Sequence, residues 1–151
     1  MVLHFIIDVK VLSEVGKAYS WPRPMRCPEC GSVKIWGHGY VGRYFEEVSD
    51  LVWVKRYRCD ECSAIHTCRP WGYLKGFRYS CRVICLCLQS KIRDNHWLRC
   101  VFRQNQQYWY RCLRLWGSRI YNVVKPAIET LALFFSEKIF LVTEHCEPLP
   151  L

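Results

Sequence analysis

Apolar and polar positions change their period along the chain. Residues 1–20 open with a β-rich run, Val2 to Val11. They then pass through Gly16 into Trp21-Pro22-Arg23-Pro24, whose two prolines exclude a helix. From Cys27 to Cys68, short β-prone pieces alternate with turn residues: Val33 to Trp36, Tyr40 to Phe45, Leu51 to Arg58 and Ala64 to Thr67, with Gly37, Gly39 and Gly42 at bends. A connector carrying Pro70, Gly72 and Gly76 follows, and beyond it the apolar period moves from two toward 3.6.

In that second part, Ser80 is placed to cap a helix with Cys81, Ile84, Cys85, Leu88 and Ile92 on one face. Asp94 or Asn95 would cap a second, shorter helix carrying Trp97, Leu98 and Val101. A third, from about Arg103 to Ile120, sets Trp109, Cys112, Leu113, Trp116 and Ile120 in one apolar stripe and Gln104, Gln107, Arg111, Arg114 and Ser118 on the other side. Pro126 fits the first turn of a final helix to about Val142, apolar nearly all round, which would cover the helical core or form a dimer seam. The expected architecture is α+β: a β-rich lead-in (1–20), a small antiparallel ribbon (21–75), an all-α, helix-turn-helix-like bundle (76–124), and an apolar helix with a tail (125–151).

The cysteines give the ribbon a chemistry. Arg26-Cys27-Pro28-Glu29-Cys30-Gly31 and Arg58-Cys59-Asp60-Glu61-Cys62-Ser63 are two Cys-x2-Cys knuckles separated by residues 31–58, room for the strands read between them. Four thiolates from two such knuckles complete a tetrahedral shell suited to one structural Zn²⁺, with no position left open for activating water. A ribbon of this size buries too little to stand alone, whereas a structural zinc contributes about 10–16 kcal/mol of apparent binding energy. Redox-active pairs and an Fe-S cluster are the competing uses of the same spacing. His38, His66 and Cys68 are expected to pack or face solvent, and Cys81, Cys85 and Cys112 to act as small buried hydrophobes. The spacing places neither Cys87, Cys100 nor Cys146.

Charge points to an anionic partner. The 151 residues carry a formal net charge of +9, and the third helix holds Arg103, Gln104, Gln107, Arg111 and Arg114 on its polar side. Glutamine pairs with adenine, arginine with guanine or phosphate, so these are candidate contacts to double-stranded DNA; a merely solvated face is the plainer alternative. Lys55, Arg56 and Arg58, with Arg43, would add a phosphate-binding strip on the ribbon. Pro22-Arg23-Pro24-x-Arg26-Cys27-Pro28-x-Cys30-Gly31-Ser32, Trp36-Gly37-His38-Gly39-Tyr40 and Lys55-Arg56-Tyr57-Arg58-Cys59-x-x-Cys62 together resemble the N-terminal zinc-ribbon region associated with bacterial transposases. The resemblance covers roughly residues 20 to 120. It implies a ribbon followed by a helix-turn-helix that recognises element DNA, with strand transfer carried out elsewhere. The match departs before the third helix, where Val101 and Phe102 stand in place of a turn glycine or a Ser/Thr cap.

The expected function is therefore zinc-dependent DNA binding without catalysis, as an accessory protein or a truncated transposase product, with a homodimer or a transposase partner engaged through the final helix. The carboxylates Glu129, Glu137, Glu144 and Glu147 have ordinary helix-surface or tail spacing, not that of a two-metal site. A zinc-stabilised protein-protein interaction module is the alternative, and RNA stacking on Tyr40, Tyr44, Trp53 and Tyr57 is a third reading. The N-terminal residues show no leader pattern and no apolar run reaches the roughly 18 residues of a membrane span, so a reducing, cytoplasmic location is expected.

Overall fold

The computed structural model describes residues 2–122 and 125–139, which fall into an N-terminal unit, up to Arg78, and a helical unit from Tyr79. The N-terminal unit is a four-stranded sheet with one α-helix and a short 3-10 turn, Gly16–Ala18. Its strands are β1 (Val2–Phe5), β2 (Ile35–Arg43), β3 (Val52–Cys59) and β4 (Ile65–Pro70), in the order β1-β4-β3-β2. The β2-β3-β4 portion is an antiparallel meander, as the pattern predicts, with a bulge between Gly37 and Tyr40. Val33 to Trp36 and Tyr40 to Phe45, read as separate pieces, merge into the single strand β2 through that bulge.

The first twenty residues depart from expectation. The β-rich run ends at Phe5, and β1 joins the meander by pairing parallel to β4, Leu3 opposite Cys68 and Phe5 opposite Pro70. Val9 to Val15 form a helix, α1, rather than more strand. Asp8 caps it, its Oδ1 accepting from the Lys10 N–H at 2.7 Å, and Val9 and Leu12, three apart, are its buried positions. One side of β3 buries Val52 and Val54, and the other buries Tyr57 and Cys59, so the sheet is covered on both faces. Leu3, Leu12, Ile35 and Phe45 complete that core, and the Tyr57 hydroxyl donates to the Trp21 carbonyl at 3.2 Å. The unit thus owns more apolar core than a bare ribbon, because β1 and α1 supply a layer that the meander lacks.

In the helical unit, α2 (Cys81–Asp94), α3 (Arg103–Ile120) and α4 (Ile128–Ile139) pack against one another. Ser80 caps α2 as expected, its Oγ accepting from the Val83 N–H at 3.5 Å. The buried face of α2 is Cys81, Ile84, Cys87 and Leu88; Cys85 and Ile92 are only half-buried. Cys87, unassigned by spacing, is thus a core residue, its thiol pushed up to about 11 by burial with a further push from Cys100. On α3 the buried stripe is Gln106, Trp109, Leu113 and Gly117, with Cys112 and Trp116 at its margin and Ile120 exposed rather than in the stripe. On α4, Thr130, Leu131 and Phe134 are buried, so within this unit the helix covers part of the core. The part of the expected final helix beyond residue 139, with Glu144, Cys146 and Glu147, lies outside the described residues.

The expected middle helix does not form. Asn95 ends α2 in the left-handed conformation (φ 51°), and residues 96–102 run as an irregular loop into α3. So short a segment cannot nucleate a helix without tertiary support, and here tertiary bonds hold another shape. The fully buried Gln106 side chain accepts from the Leu98 N–H at 3.1 Å and donates to the carbonyls of Leu98 and Val101, both at 2.7 Å. Phe102 precedes α3 without a side-chain cap, as its residue type dictates.

Replacing Gln106 with Ala leaves those three backbone groups unpaired inside the unit. The expected loss is about 1–3 kcal/mol of stability, read from urea unfolding followed by tryptophan fluorescence. An unchanged midpoint would show that the loop is held by other contacts.

Candidate metal centre

Two turns deliver the cysteines, and they repeat one design. In the first, the Cys27 N–H donates to the Ser32 carbonyl at 2.7 Å; in the second, the Cys59 N–H donates to the Ala64 carbonyl at 3.0 Å. The residue after each second cysteine is left-handed: Gly31 at φ 74° and Ser63 at φ 59°. That conformation lets the chain double back so that both thiols of a knuckle face the same point, and only glycine adopts it without steric cost. The two turns are tied together by an Asp60 N–H to Lys34 carbonyl bond of 2.9 Å and by an exposed Lys34–Glu61 ion pair at 3.3 Å, which contributes little.

The four sulfurs lie within 4.8 Å of one another, with Cys27 Sγ 3.6 Å from Cys62 Sγ and Cys30 Sγ 3.6 Å from Cys59 Sγ. A tetrahedral shell with metal–sulfur bonds of about 2.3 Å has sulfur–sulfur edges of about 3.8 Å. The cluster therefore has the dimensions of a four-sulfur cage for a single metal ion, and its sulfurs are too far apart to be bonded in pairs as disulfides. Backbone amides aim at the sulfurs as well. Those of Cys62 and Glu61 bring the Cys59 thiol down to about 7. At Cys30 the Ser32 amide pulls the same way, but burial and the neighbouring sulfurs outweigh it and hold that thiol up at about 12. Four thiols this close resist ionising together until a cation joins them.

His66 is the residue that spacing alone assigned only to packing or surface. It is fully buried on β4, opposite Tyr57, with Nε2 3.3 Å from Cys27 Sγ. An imidazole N–H there can donate to the Cys27 thiolate and support the cage from behind it. The alternation of β4, which also turns Cys68 into the core, is the signal that places it inward. His38 is only half-buried.

The candidate DNA contacts divide into two sets. Arg103, Gln104, Gln107, Arg111 and Arg114 are all exposed on α3. Beside them, Trp97 from the pinned loop and Tyr110 line a groove of about 560 Å³ that also includes Gln107, Arg111 and Arg114. The β3 set is less coherent. Strand alternation puts Lys55 on one face and Arg56 with Arg58 on the other. Lys55 Nζ sits 4.4 Å from the Tyr40 ring centroid, Arg56 is half-buried, and Arg58 is exposed beside Trp36. These residues do not form one continuous strip.

Among the described residues no helix is long and apolar enough to cross a membrane. Comparison with known proteins finds no matching family model, no matching curated protein and no matching solved structure.

Two outcomes follow from the cage. A Cys59→Ser, Cys62→Ser variant should lose its bound metal, from one ion per chain to none by elemental analysis, and melt well below the parent. Retention of a full equivalent would place the metal elsewhere. Ser63→Gly should raise stability by about 0.5–1 kcal/mol, because it relieves a left-handed non-glycine residue; a fall in chemical-denaturation stability would contradict the repeated-turn geometry.

Proposed function

We propose that the chain is a non-catalytic, zinc-dependent protein that binds double-stranded DNA through the exposed face of α3. The observation that carries the reading is the composition of that face. Arg103, Gln104, Gln107, Arg111 and Arg114 are all exposed on a helix that contains no Asp or Glu. A helix face kept only for solubility ordinarily mixes both signs of charge, which gains i,i+4 pairs and avoids self-repulsion. A face with arginines and amides alone is suited to phosphates and base edges instead. An α-helix fits the major groove, and Arg103 with Gln104 near the N-terminal end are the best candidates for base-edge contact.

The approach differs from a three-helix reader, since a loop held by Gln106 precedes α3 where a short helix was expected. That loop is ordered, so the face it flanks needs little rearrangement to bind. For the metal, four thiolates with no open position favour Zn²⁺ in a structural role. The motif strings from Pro22 to Cys62 support a transposase-related region, either an accessory protein or a truncated product. None of the ten described cysteines is in a disulfide, consistent with a reducing, cytoplasmic setting.

The test is fluorescence anisotropy with duplex DNA across a salt series, using zinc-loaded protein and an Arg111→Ala, Arg114→Ala variant of matched zinc content and helicity. Affinity should fall steeply with salt, and the variant should bind at least tenfold more weakly, with a log–log slope shallower by about 2. No binding at low salt by the folded, zinc-loaded parent would remove the DNA reading and leave a zinc-stabilised protein-interaction module in its place.

A further inference from the structure

The N-terminal unit carries a second concentration of positive charge that neither the cage nor the α3 reading uses. A cleft of about 540 Å³ opens where the end of β2 meets the segment after β4, and Arg43, Tyr44, Thr67, Arg69, Lys75 and Arg78 contribute to its lining. Among the described residues no Asp or Glu lines it, and Arg43, Lys75 and Arg78 are exposed and in no ion pair. The walls are built. The buried Arg69 donates from Nη2 to the Phe77 carbonyl at 2.6 Å, which fixes the turn bearing Lys75 and Arg78. The Glu46 N–H donates to the Arg78 carbonyl at 3.2 Å, joining that turn to the segment bearing Arg43 and Tyr44. The Arg78 guanidinium lies 6.0 Å from the Tyr44 ring centroid.

We propose that this cleft is a binding site for a phosphate oxyanion. Exposed cations that share a cleft with no carboxylate in its lining repel one another, and concave walls concentrate their field, so an anion lowers the energy of the arrangement as it binds. Two of the three exposed cations are arginines, whose forked donors match phosphate oxygens two at a time, and Lys75 adds a mobile point charge. Thr67, also in the lining, adds a neutral hydroxyl donor. Arg69 is a positioning residue, acting through the Phe77 carbonyl. The phosphate can come from a nucleic-acid backbone or from a free phosphoryl compound, and the site does not depend on α3 acting as a DNA reader.

The experiment follows backbone amide NMR signals of the full zinc-loaded chain during titration with inorganic phosphate, with sodium chloride at matched ionic strength, and with a short DNA duplex. Phosphate should shift Arg43, Tyr44 and Lys75 through Arg78 where chloride does not. A Lys75→Gln, Arg78→Gln variant of unchanged zinc content and helicity should bind it at least tenfold more weakly. If the duplex shifts the same signals in the Arg111→Ala, Arg114→Ala variant, the site is occupied by a nucleic-acid backbone. Shifts with phosphate alone assign it to a free phosphoryl compound. Signals unmoved by both probes, or moved equally by chloride, would overturn the proposal, whatever the α3 variants do with DNA.

Discussion

Four cysteine sulfurs brought within 4.8 Å of one another are a constraint on the chain before they are a site. Each thiolate formed there disfavours the next, so the unliganded cluster resists the ionisation that would make it a good ligand set. A bound cation reverses the sign of that interaction, and it does so for two turns far apart in the sequence at once. Cys27 and Cys59 are themselves core residues, so the closed cage is continuous with the packing around Ile35 and Tyr57. The backbone is prepared for that closure: the paired amide bonds, the left-handed residues after Cys30 and Cys62, and the Asp60–Lys34 bond hold the turns in register. An ion held by the four sulfurs would therefore be coupled to the sheet.

Residues outside the cysteine motif also supply buried core to the unit. A three-stranded meander exposes both faces and two edges, and an isolated one would lean wholly on a bound metal. Here β1 occupies the open edge of β4, and α1 brings Val9 and Leu12 to the core, so the apolar layer extends beyond the knuckles. The same arrangement explains the position of His66. It sits on β4, one strand in from the edge that β1 covers, where its ring is dry enough to reach Cys27 Sγ and where burial lowers its affinity for a proton.

What could be read from sequence follows the range of the interactions involved. The four-cysteine cluster was legible because two knuckles at that spacing have few uses, and the α3 limits emerged because eighteen residues of consistent period outweigh local exceptions. The β1–β4 pairing was not legible, since a parallel partner more than sixty residues away leaves no local mark. Val9 to Val11 read as part of a β-rich run because Val9 and Val11 alternate with Lys10, while the deciding facts are the Asp8 cap and a core that accepts Val9 with Leu12. The middle helix failed for a related reason. Its apolar residues fit a helical period, but a side chain outside the segment, Gln106, supplies backbone bonds that the loop could not provide for itself.

Gln106 also shows how helical phase assigns different work to identical residue types. At about 100° per residue, Gln104 and Gln107 lie within about 60° of each other around the α3 axis, and Gln106 points away from both. The first two are exposed beside Arg103 and Arg111; the third is fully buried and holds the 96–102 loop. That loop carries Trp97, whose ring meets Tyr110 edge-on at 6.0 Å between centroids and takes the Lys91 ammonium at 4.7 Å. Trp97 and Tyr110 in turn wall the groove that includes Arg111 and Arg114. The buried amide therefore shapes the groove without lining it: by fixing the loop it fixes one wall beside the exposed arginines, and the ordering cost of that wall is met in folding.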